Sequence, residues 1–128
     1  MNTIIIVGRL GTEPEMRYTN SGQPVTNFSV ADNRRYTGAD GQPREETVWF
    51  RVTAWGRLAE TCNQYLSQGR QVAVEGRMKP VQIWEGRDGQ PRANLEVTAR
   101  SVEFLGGASS SDTAGPGEPP EAEEEIPF

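Results

Sequence analysis

Histidine is absent from the 128 residues of this chain, and cysteine occurs once, as Cys62. Without imidazole the commonest general acid–base group at neutral pH is missing. A lone thiol and no imidazole also leave no zinc site built from these ligands. A single cysteine excludes an intrachain disulfide, which favours a reducing compartment. These absences argue against most enzyme classes, and we predict neither a metal nor a cofactor.

Long hydrophobic runs are missing as well. No segment approaches the ~18 consecutive apolar residues of a membrane-spanning helix, and the first residues do not resemble a signal peptide. We therefore expect a soluble, cytoplasmic protein that does not contact a membrane. Hydrophobic residues make up 34% of the chain, which is low for a chain packed throughout.

Positive charge is absent from the last part of the chain. Segment 1–107 contains all thirteen basic residues and twelve acidic ones, for a net charge of +1. Segment 108–128 contains six acidic residues and no basic ones, for a net charge of −6. Its Ser, Gly, Pro and Glu cannot bury enough apolar surface to offset the chain entropy. We therefore predict a folded domain over residues 1–106 and a disordered acidic tail over residues 107–128.

The acidic tail ends in its only large apolar side chains. Its last six residues are Glu123, Glu124, Glu125, Ile126, Pro127 and Phe128. An aromatic anchor beside several carboxylates is typical of a peptide that docks into an apolar pocket with a basic rim. We interpret these six residues as a docking motif for a partner protein. A tail that serves only solubility is the alternative.

Hydrophobic patterns in the body predict five main strands and one helix. The strands fall at residues 3–10, 25–33, 47–55, 71–79 and 93–105, with a short extended piece at 16–19. The helix is predicted over residues 57–66, where Leu58, Cys62 and Leu66 recur every four positions. This spacing makes Cys62 a core residue rather than a reactive thiol. A change of phase in the last strand predicts a bulge near residues 99–101.

The order of these elements predicts the fold class. Three strands, one helix and two strands match the OB-fold, a five-stranded Greek-key barrel with a helix between strands 3 and 4. The protein should therefore be all-β with one helix. Four successive apolar residues at 4–7 in the first strand indicate that both faces are covered, one by the core and one, we expect, by another subunit.

The third strand separates two kinds of side chain with a period of two. One face carries Val48, Phe50, Val52 and Ala54, and the other carries Thr47, Trp49, Arg51, Thr53 and Trp55. Two indoles beside a guanidinium on a polar face suit unpaired bases and their phosphates. Binding by stacking tolerates any base, and it does not separate DNA from RNA. A tryptophan that packs under a loop or against a subunit is the structural alternative.

Two long polar loops or hairpins, at residues 34–46 and 81–92, repeat this composition. The first carries Arg34, Arg35, Tyr36 and Arg44, and the second carries Trp84, Arg87 and Arg92. As extensions of strands they would lengthen a groove beside the third strand. For each single arginine, simple solvation is an equally good interpretation.

Several segments together resemble the bacterial single-stranded DNA-binding protein family. They are residues 4–11 (IIIVGRLG), 47–52 (TVWFRV), 55–60 (WGRLAE), 69–76 and the terminal EEEIPF. The resemblance covers residues 1 to about 106 and the last six residues. It implies a non-catalytic, nucleoid-associated protein that coats single-stranded DNA as a homotetramer, with the first strand in subunit contacts.

The resemblance also implies residue roles. Trp49, Trp55 and Trp84 would stack on bases, and Tyr36 stands where the family often has a tryptophan, which should weaken stacking there. The candidates for phosphate contacts are Arg34, Arg35, Arg51, Arg87 and Arg92. The terminal motif would dock on replication, recombination and repair proteins. The family also has a linker between the folded domain and the terminal motif, which in this chain is short. The resemblance therefore implies nothing about cooperativity between binding modes. The main rival is a protein-interaction adaptor whose exposed rings contact partners, and an enzyme comes third.

Overall fold

Eight strands and one helix follow one another in residues 1–106, the part of the chain that this computed structural model describes. The strands are β1 (Ile4–Leu10), β2 (Glu15–Tyr18), β3 (Pro24–Thr37), β4 (Pro43–Trp55), β5 (Gln71–Met78), β6 (Ile83–Glu85), β7 (Pro91–Ala93) and β8 (Leu95–Leu105). Helix α1 (Gly56–Tyr65) lies between β4 and β5. The predicted acidic tail and its docking motif lie outside the described residues.

Five strands close into a barrel in the order β1-β5-β8-β4-β3, and β1 returns to β3 through two residue pairs. Strand β2 adds to the free edge of β3, and β4 and β8 run parallel. In chain order the helix therefore separates the third barrel strand from the fourth, which confirms the predicted OB-fold. Strands β6 and β7, which lie between β5 and β8 in the sequence, form a separate two-stranded sheet.

Apolar side chains from every barrel strand fill the interior. They include Ile6, Leu10, Phe28, Val30, Val52, Val72, Val74 and Val97, all at least 95% buried. Helix α1 covers one end of the barrel with Ala59 and Cys62, and Leu66 follows at its C-cap. Thr26, the buried polar residue of β3, donates its hydroxyl to the backbone oxygen of Ala59 at 2.7 Å. The bond satisfies a group that would otherwise be costly to bury.

Strands β3 and β4 are longer than their hydrophobic patterns predict. Pairing continues past Asn33 and Thr47 to the last pair, Thr37 with Pro43. Periodicity could not detect these residues, because a ribbon exposed on both faces needs no alternation of apolar and polar side chains. The polar stretch at residues 34–46 is therefore a long hairpin, as predicted, and most of it is strand. The helix begins and ends one residue earlier than predicted.

The predicted bulge in the last strand is confirmed. Glu75 pairs with Ser101 and Gly76 with Ala99, so Arg100 is the additional residue in β8. A bulge lets a long strand bend around a small barrel while its buried residues stay on the inner face. The guanidinium of Arg100 in turn donates to the backbone oxygens of Asn2 and Gly76 at 2.9 and 3.3 Å.

Strand β1 keeps an apolar outer face. Ile6 and Leu10 point into the core, whereas Ile5 is 68% exposed and Val7 is 46% exposed. Coverage of this face by another subunit stays a prediction. The helix found in residues 1–106 is neither long nor apolar enough to cross a bilayer.

The buried thiol generates a test of the core. Burial raises the pKa of Cys62 from 9.0 to about 11. As the pH rises, the Cys62 thiol therefore ionises in the unfolded chain before it ionises in the folded one. The free energy of unfolding falls accordingly between pH 9 and about pH 11. We expect Cys62 to resist iodoacetamide in native buffer near neutral pH and to react once urea unfolds the protein, as mass spectrometry would show. Rapid modification of the folded protein would contradict the core assignment.

Candidate nucleic-acid interface

The paired strands β3 and β4 form the outer face that carries the predicted binding residues. Across the two strands Trp49 lies opposite Ala31, Arg51 opposite Ser29, Thr53 opposite Asn27 and Trp55 opposite Val25. The alternate residues of β4, Val52 and Ala54, are buried. The alternation predicted from the sequence is therefore present, with the indoles outside and the aliphatic groups inside.

Both indoles reach solvent. Trp49 is 52% exposed and Trp55 is 42% exposed, so neither ring is sealed under a loop of its own chain. Large exposed aromatic surface is costly unless a ligand or partner covers it. Arg51 lies between them on the strand, and among residues 1–106 no carboxylate pairs with its guanidinium.

A groove of about 530 Å³ runs along this face beside Trp55 and Arg51. Its floor is polar, because the hydroxyl of Thr53 donates to Asn27 Oδ1 at 2.9 Å and the hydroxyls of Thr12 and Ser29 lie 3.2 Å apart. A polar floor beside the exposed ring of Trp55 offers hydrogen bonds to a polar chain lying in the groove.

Charges of both signs line the groove. The cations are Arg17, Arg51 and Lys79, and the carboxylates are Glu13, Glu15 and Glu96. Lys79 pairs with Glu96 at 3.6 Å. The electrostatic signal is therefore weak, and the rings distinguish this surface. Within residues 1–106 no three His, Cys, Asp or Glu side chains converge on a point that could hold a metal ion.

The indole of Trp49 rests on the backbone of Gly11. A Cβ at Gly11 would lie 2.2 Å from Cζ3 of that ring and 2.7 Å from Cη2. The Gly11 N–H donates to the backbone oxygen of Ser29 at 2.9 Å, which holds the two segments together. Gly11 therefore positions Trp49 by leaving room for it. Sequence reasoning missed this role, because no local pattern links residues 11 and 49.

The hairpin of β3 and β4 divides its predicted site residues between two faces. Arg35 shares the face of Trp49, whereas Arg34 and Tyr36 belong to the opposite face, as the unbroken pairing shows. The guanidinium carbon of Arg34 lies 4.8 Å from the centre of the Tyr36 ring, within cation–π range. The structure therefore does not bring Tyr36 onto the same surface as Trp49.

The ribbon of β6 and β7 carries the remaining predicted residues. Trp84 is 46% exposed and lies opposite Arg92, and Arg87 is in the turn between the strands. Arg92 pairs with Asp88 at 2.8 Å.

Several of the predicted phosphate-binding arginines already form ion pairs. Arg34 pairs with Glu46 at 3.2 Å and Arg35 with Glu45 at 3.8 Å. Exposed pairs of this kind are worth ~0–1 kcal/mol, so they can give way to a stronger anion.

Comparisons of sequence converge on one family. The family model described as Single-strand binding protein family matches residues 1–105. The single-stranded DNA-binding protein 1 of Chlorobaculum tepidum is 37% identical over 110 residues, which are 86% of this chain and 68% of that protein. That of Neisseria meningitidis serogroup A is 37% identical over 116 residues, which are 91% of this chain and 66% of that protein. The chain thus spans about two thirds of the length of these relatives.

Solved structures show the same likeness. The Plasmodium falciparum SSB in complex with ssDNA matches with a TM-score of 0.70 and 27% identity, over 82% of this chain and 95% of that one. The small single-stranded DNA-binding protein from Streptomyces coelicolor matches with a TM-score of 0.66 and 30% identity, over 80% and 92% of the two chains.

The contact between Gly11 and Trp49 generates a prediction. Gly11→Ala should displace the indole, because its new Cβ would occupy the position of the ring. In a chain that also carries Trp55→Phe and Trp84→Phe, Trp49 is the sole tryptophan. With selective excitation of tryptophan, the emission of Gly11→Ala should shift to the red and acrylamide should quench it more strongly. Thr61→Ala, on α1 and outside the groove, is the control and should leave the emission unchanged. Identical spectra for Gly11→Ala and its parent would refute the positioning role.

Proposed function

The chain belongs to the single-strand binding protein family, and from that premise we propose that it binds single-stranded DNA along the outer face of β3 and β4. The observation that carries this proposal is the pair of exposed indoles, Trp49 and Trp55, on either side of Arg51. Binding should show little sequence preference, because every base has a ring face on which an indole can stack.

Each part of the face has a separate task in this proposal. Trp49 and Trp55 each take one base, and a stacked base is worth ~1–3 kcal/mol when the ring is truncated. Arg51, which has no carboxylate partner among residues 1–106, takes a phosphate between them. The hydroxyls and amide on the groove floor keep the backbone of the nucleic acid hydrated or hydrogen-bonded.

Both hairpins extend the surface beyond the barrel. Trp84 and Tyr36 are exposed rings that would stack on further bases. The arginines Arg34, Arg35, Arg87 and Arg92 would contact phosphates, the first two after exchange of their weak ion pairs with Glu46 and Glu45. Tyr36 lies on the opposite face of the ribbon from Trp49. We therefore propose that Tyr36 contacts a different stretch of the bound DNA.

Self-association completes the proposed assembly. We infer that copies of this chain form a homotetramer, as the family resemblance implies, and that the outer face of β1 takes part. The support is the exposure of Ile5 and Val7, two large aliphatic groups side by side on one strand face. Burying them would gain ~25 cal/mol for each Å² of apolar surface removed from water.

The acidic tail is proposed to recruit partners. We infer that Glu123–Phe128 docks on replication, recombination and repair proteins while the barrel protects the DNA. The support is the order of residues, three carboxylates followed by Ile126 and Phe128. The carboxylates would also compete weakly with DNA for the groove. This role places the protein in the cytoplasm with the nucleoid.

Truncation of one indole tests the binding face. Trp49→Ala should weaken binding to poly-dT by ~1–3 kcal/mol, because one stacking surface is lost. Titrations of tryptophan fluorescence measure the affinity, and wild-type emission should be strongly quenched by poly-dT. Absence of quenching would favour the adaptor alternative. Parallel titrations with poly-rU decide between DNA and RNA, and the slope against salt counts the phosphates neutralised.

Tyr65→Ala is the matched control for this experiment, because Tyr65 is an exposed aromatic residue on α1, away from the groove. It should leave the affinity for poly-dT unchanged. Sedimentation should show the same assembly for both variants. Unchanged DNA binding by Trp49→Ala together with a lost tetramer would instead make Trp49 a subunit contact.

Removal of Phe128 tests the tail. The shortened chain should keep its affinity for poly-dT, because the barrel is untouched, and should lose binding to bacterial replication, recombination and repair proteins in a surface-plasmon assay. Asp112→Asn, which removes one tail charge away from the motif, should keep partner binding. A large drop in DNA affinity on removal of Phe128 would contradict the proposed separation of roles.

A further inference from the structure

Two hairpin tips carry the same nine-residue pattern. Tyr36–Arg44 has the sequence YTGADGQPR, and Trp84–Arg92 has the sequence WEGRDGQPR. Six of the nine residues are identical, and both segments begin with an aromatic residue. The two segments belong to different sheets, since the first joins β3 to β4 and the second joins β6 to β7.

The first tip is held by a set of short hydrogen bonds. The Gly38 N–H donates to the backbone oxygen of Gln42 at 2.8 Å, and the Gly41 N–H donates to that of Gly38 at 2.9 Å. Asp40 Oδ1 accepts the Gln42 N–H at 3.1 Å, and Asp40 Oδ2 accepts Nη2 of Arg44 at 2.7 Å. One carboxylate therefore fastens both the turn and the arginine.

The second tip repeats every one of these bonds. The Gly86 N–H donates to the backbone oxygen of Gln90 at 2.8 Å, and the Gly89 N–H to that of Gly86 at 2.9 Å. Asp88 Oδ1 accepts the Gln90 N–H at 3.1 Å, and Asp88 Oδ2 accepts Nη2 of Arg92 at 2.8 Å. The same residues thus form the same structure at two places in the molecule.

A glycine in each tip makes room for the arginine. A Cβ at Gly38 would lie 2.9 Å from Nε of Arg44, and a Cβ at Gly86 would lie 2.8 Å from Nε of Arg92. Each guanidinium therefore lies against the backbone of its turn, fixed by the carboxylate on one side and by this close contact on the other.

The fixed arginine lies beside the aromatic residue that begins the pattern. Tyr36 pairs across the strands with Arg44, and Trp84 pairs with Arg92, so ring and arginine share a face of their ribbon. Tyr36 is 41% exposed and Trp84 is 46% exposed, and about half of each arginine side chain reaches solvent. A guanidinium has five N–H donors, and the carboxylate accepts from one nitrogen, so donors remain for a ligand.

We propose that Asp40 and Asp88 are positioning residues, which hold Arg44 and Arg92 where each can contact the phosphate that adjoins a base on the neighbouring ring, so that the two tips act as equivalents. The inference rests on the proposed function and deepens it. It assigns phosphate contact in the first hairpin to Arg44, which is held in place beside Tyr36. A held arginine loses less conformational freedom when it binds than a free one does.

The direction in which DNA affinity changes when each aspartate is replaced separates a positioning role from a purely electrostatic one. Removal of a negative charge from a DNA-binding surface should by itself raise affinity, because fewer charges repel the phosphates. If Asp40 and Asp88 position their arginines, their replacement by asparagine should lower affinity instead. If the carboxylates only stabilise the turns, their replacement should leave the affinity unchanged or raise it.

The experiment compares Asp40→Asn and Asp88→Asn in the full chain. Asparagine keeps the oxygen that accepts the backbone N–H of the turn, so the hairpins should stay folded, which thermal melting checks. Each variant should bind poly-dT about two- to ten-fold more weakly, the loss expected when one more side chain must be immobilised on binding. The two losses should agree within about two-fold and multiply in the double variant, since distant sites act independently.

Glu45→Gln is the matched control, because Glu45 is an acid of the first hairpin that pairs with Arg35 at 3.8 Å outside the repeated pattern. It should leave the affinity unchanged or raise it. If the asparagine variants melt early, Arg44→Lys and Arg92→Lys provide the second test. Lysine keeps the charge but lacks the planar fork, so affinity should fall while the salt dependence stays the same.

Three outcomes overturn the proposal: equal or higher affinity of both asparagine variants, a loss at one tip only, or full affinity of both lysine variants. Wild-type protein that fails to bind poly-dT would refute the proposed function itself. Wild-type binding that Trp49→Ala weakens and the tip variants do not would refute only the role of the tips.

Discussion

The unbroken pairing of β3 with β4 is the constraint on which the rest of the molecule depends. Thirteen successive residue pairs, from Val25 with Trp55 to Thr37 with Pro43, follow one register without a bulge. Because side chains alternate between the faces of a sheet, a slip by one residue would bury Trp49 and Arg51 and expose Val52. The apolar core on one side therefore fixes the register that presents the indoles on the other.

This arrangement links the stability of the barrel to the shape of the groove. The residues that close the barrel, Leu10 against Val30, lie next to Gly11, which supports Trp49, and next to Ser29, which accepts the Gly11 N–H. The Trp49 ring packs against backbone that the barrel holds in place, so little of its freedom would be lost in the proposed stacking on a base. The face that we propose to bind DNA thus gains rigidity from the core behind it, which contributes Phe28 and Val52 to the lining of the groove.

Much of the fold could be predicted because its signals are local. The alternation in β4, the four-residue spacing of Leu58, Cys62 and Leu66, and the change of phase around Arg100 each occupy a few neighbouring residues. The same holds for the exposure of Trp49 and Trp55, which follows from the period of one strand. The order of these elements then matched the OB-fold, and the family resemblance implied the same fold.

Other features could not be predicted, because they depend on contacts between distant parts of the chain. The support of Trp49 by Gly11 joins segments that no periodicity connects. The face occupied by Tyr36 depends on a register that continues through polar residues, where alternation carries no information. The pairing of Asp40 with Arg44 is local, but it requires a closed turn, which a spacing of four residues does not by itself indicate.

The two ribbons are attached to the barrel in different ways. The ribbon of β3 and β4 is a direct continuation of two barrel strands, whereas β6 and β7 pair only with each other in the described part of the chain. Short connections, at residues 79–82 and at Asn94, join the second ribbon to β5 and β8. The separation of the two tips can therefore change without the loss of any interstrand hydrogen bond in the barrel. The ribbon of β6 and β7 could therefore move by itself to follow a nucleic acid strand whose spacing between nucleotides varies along its length.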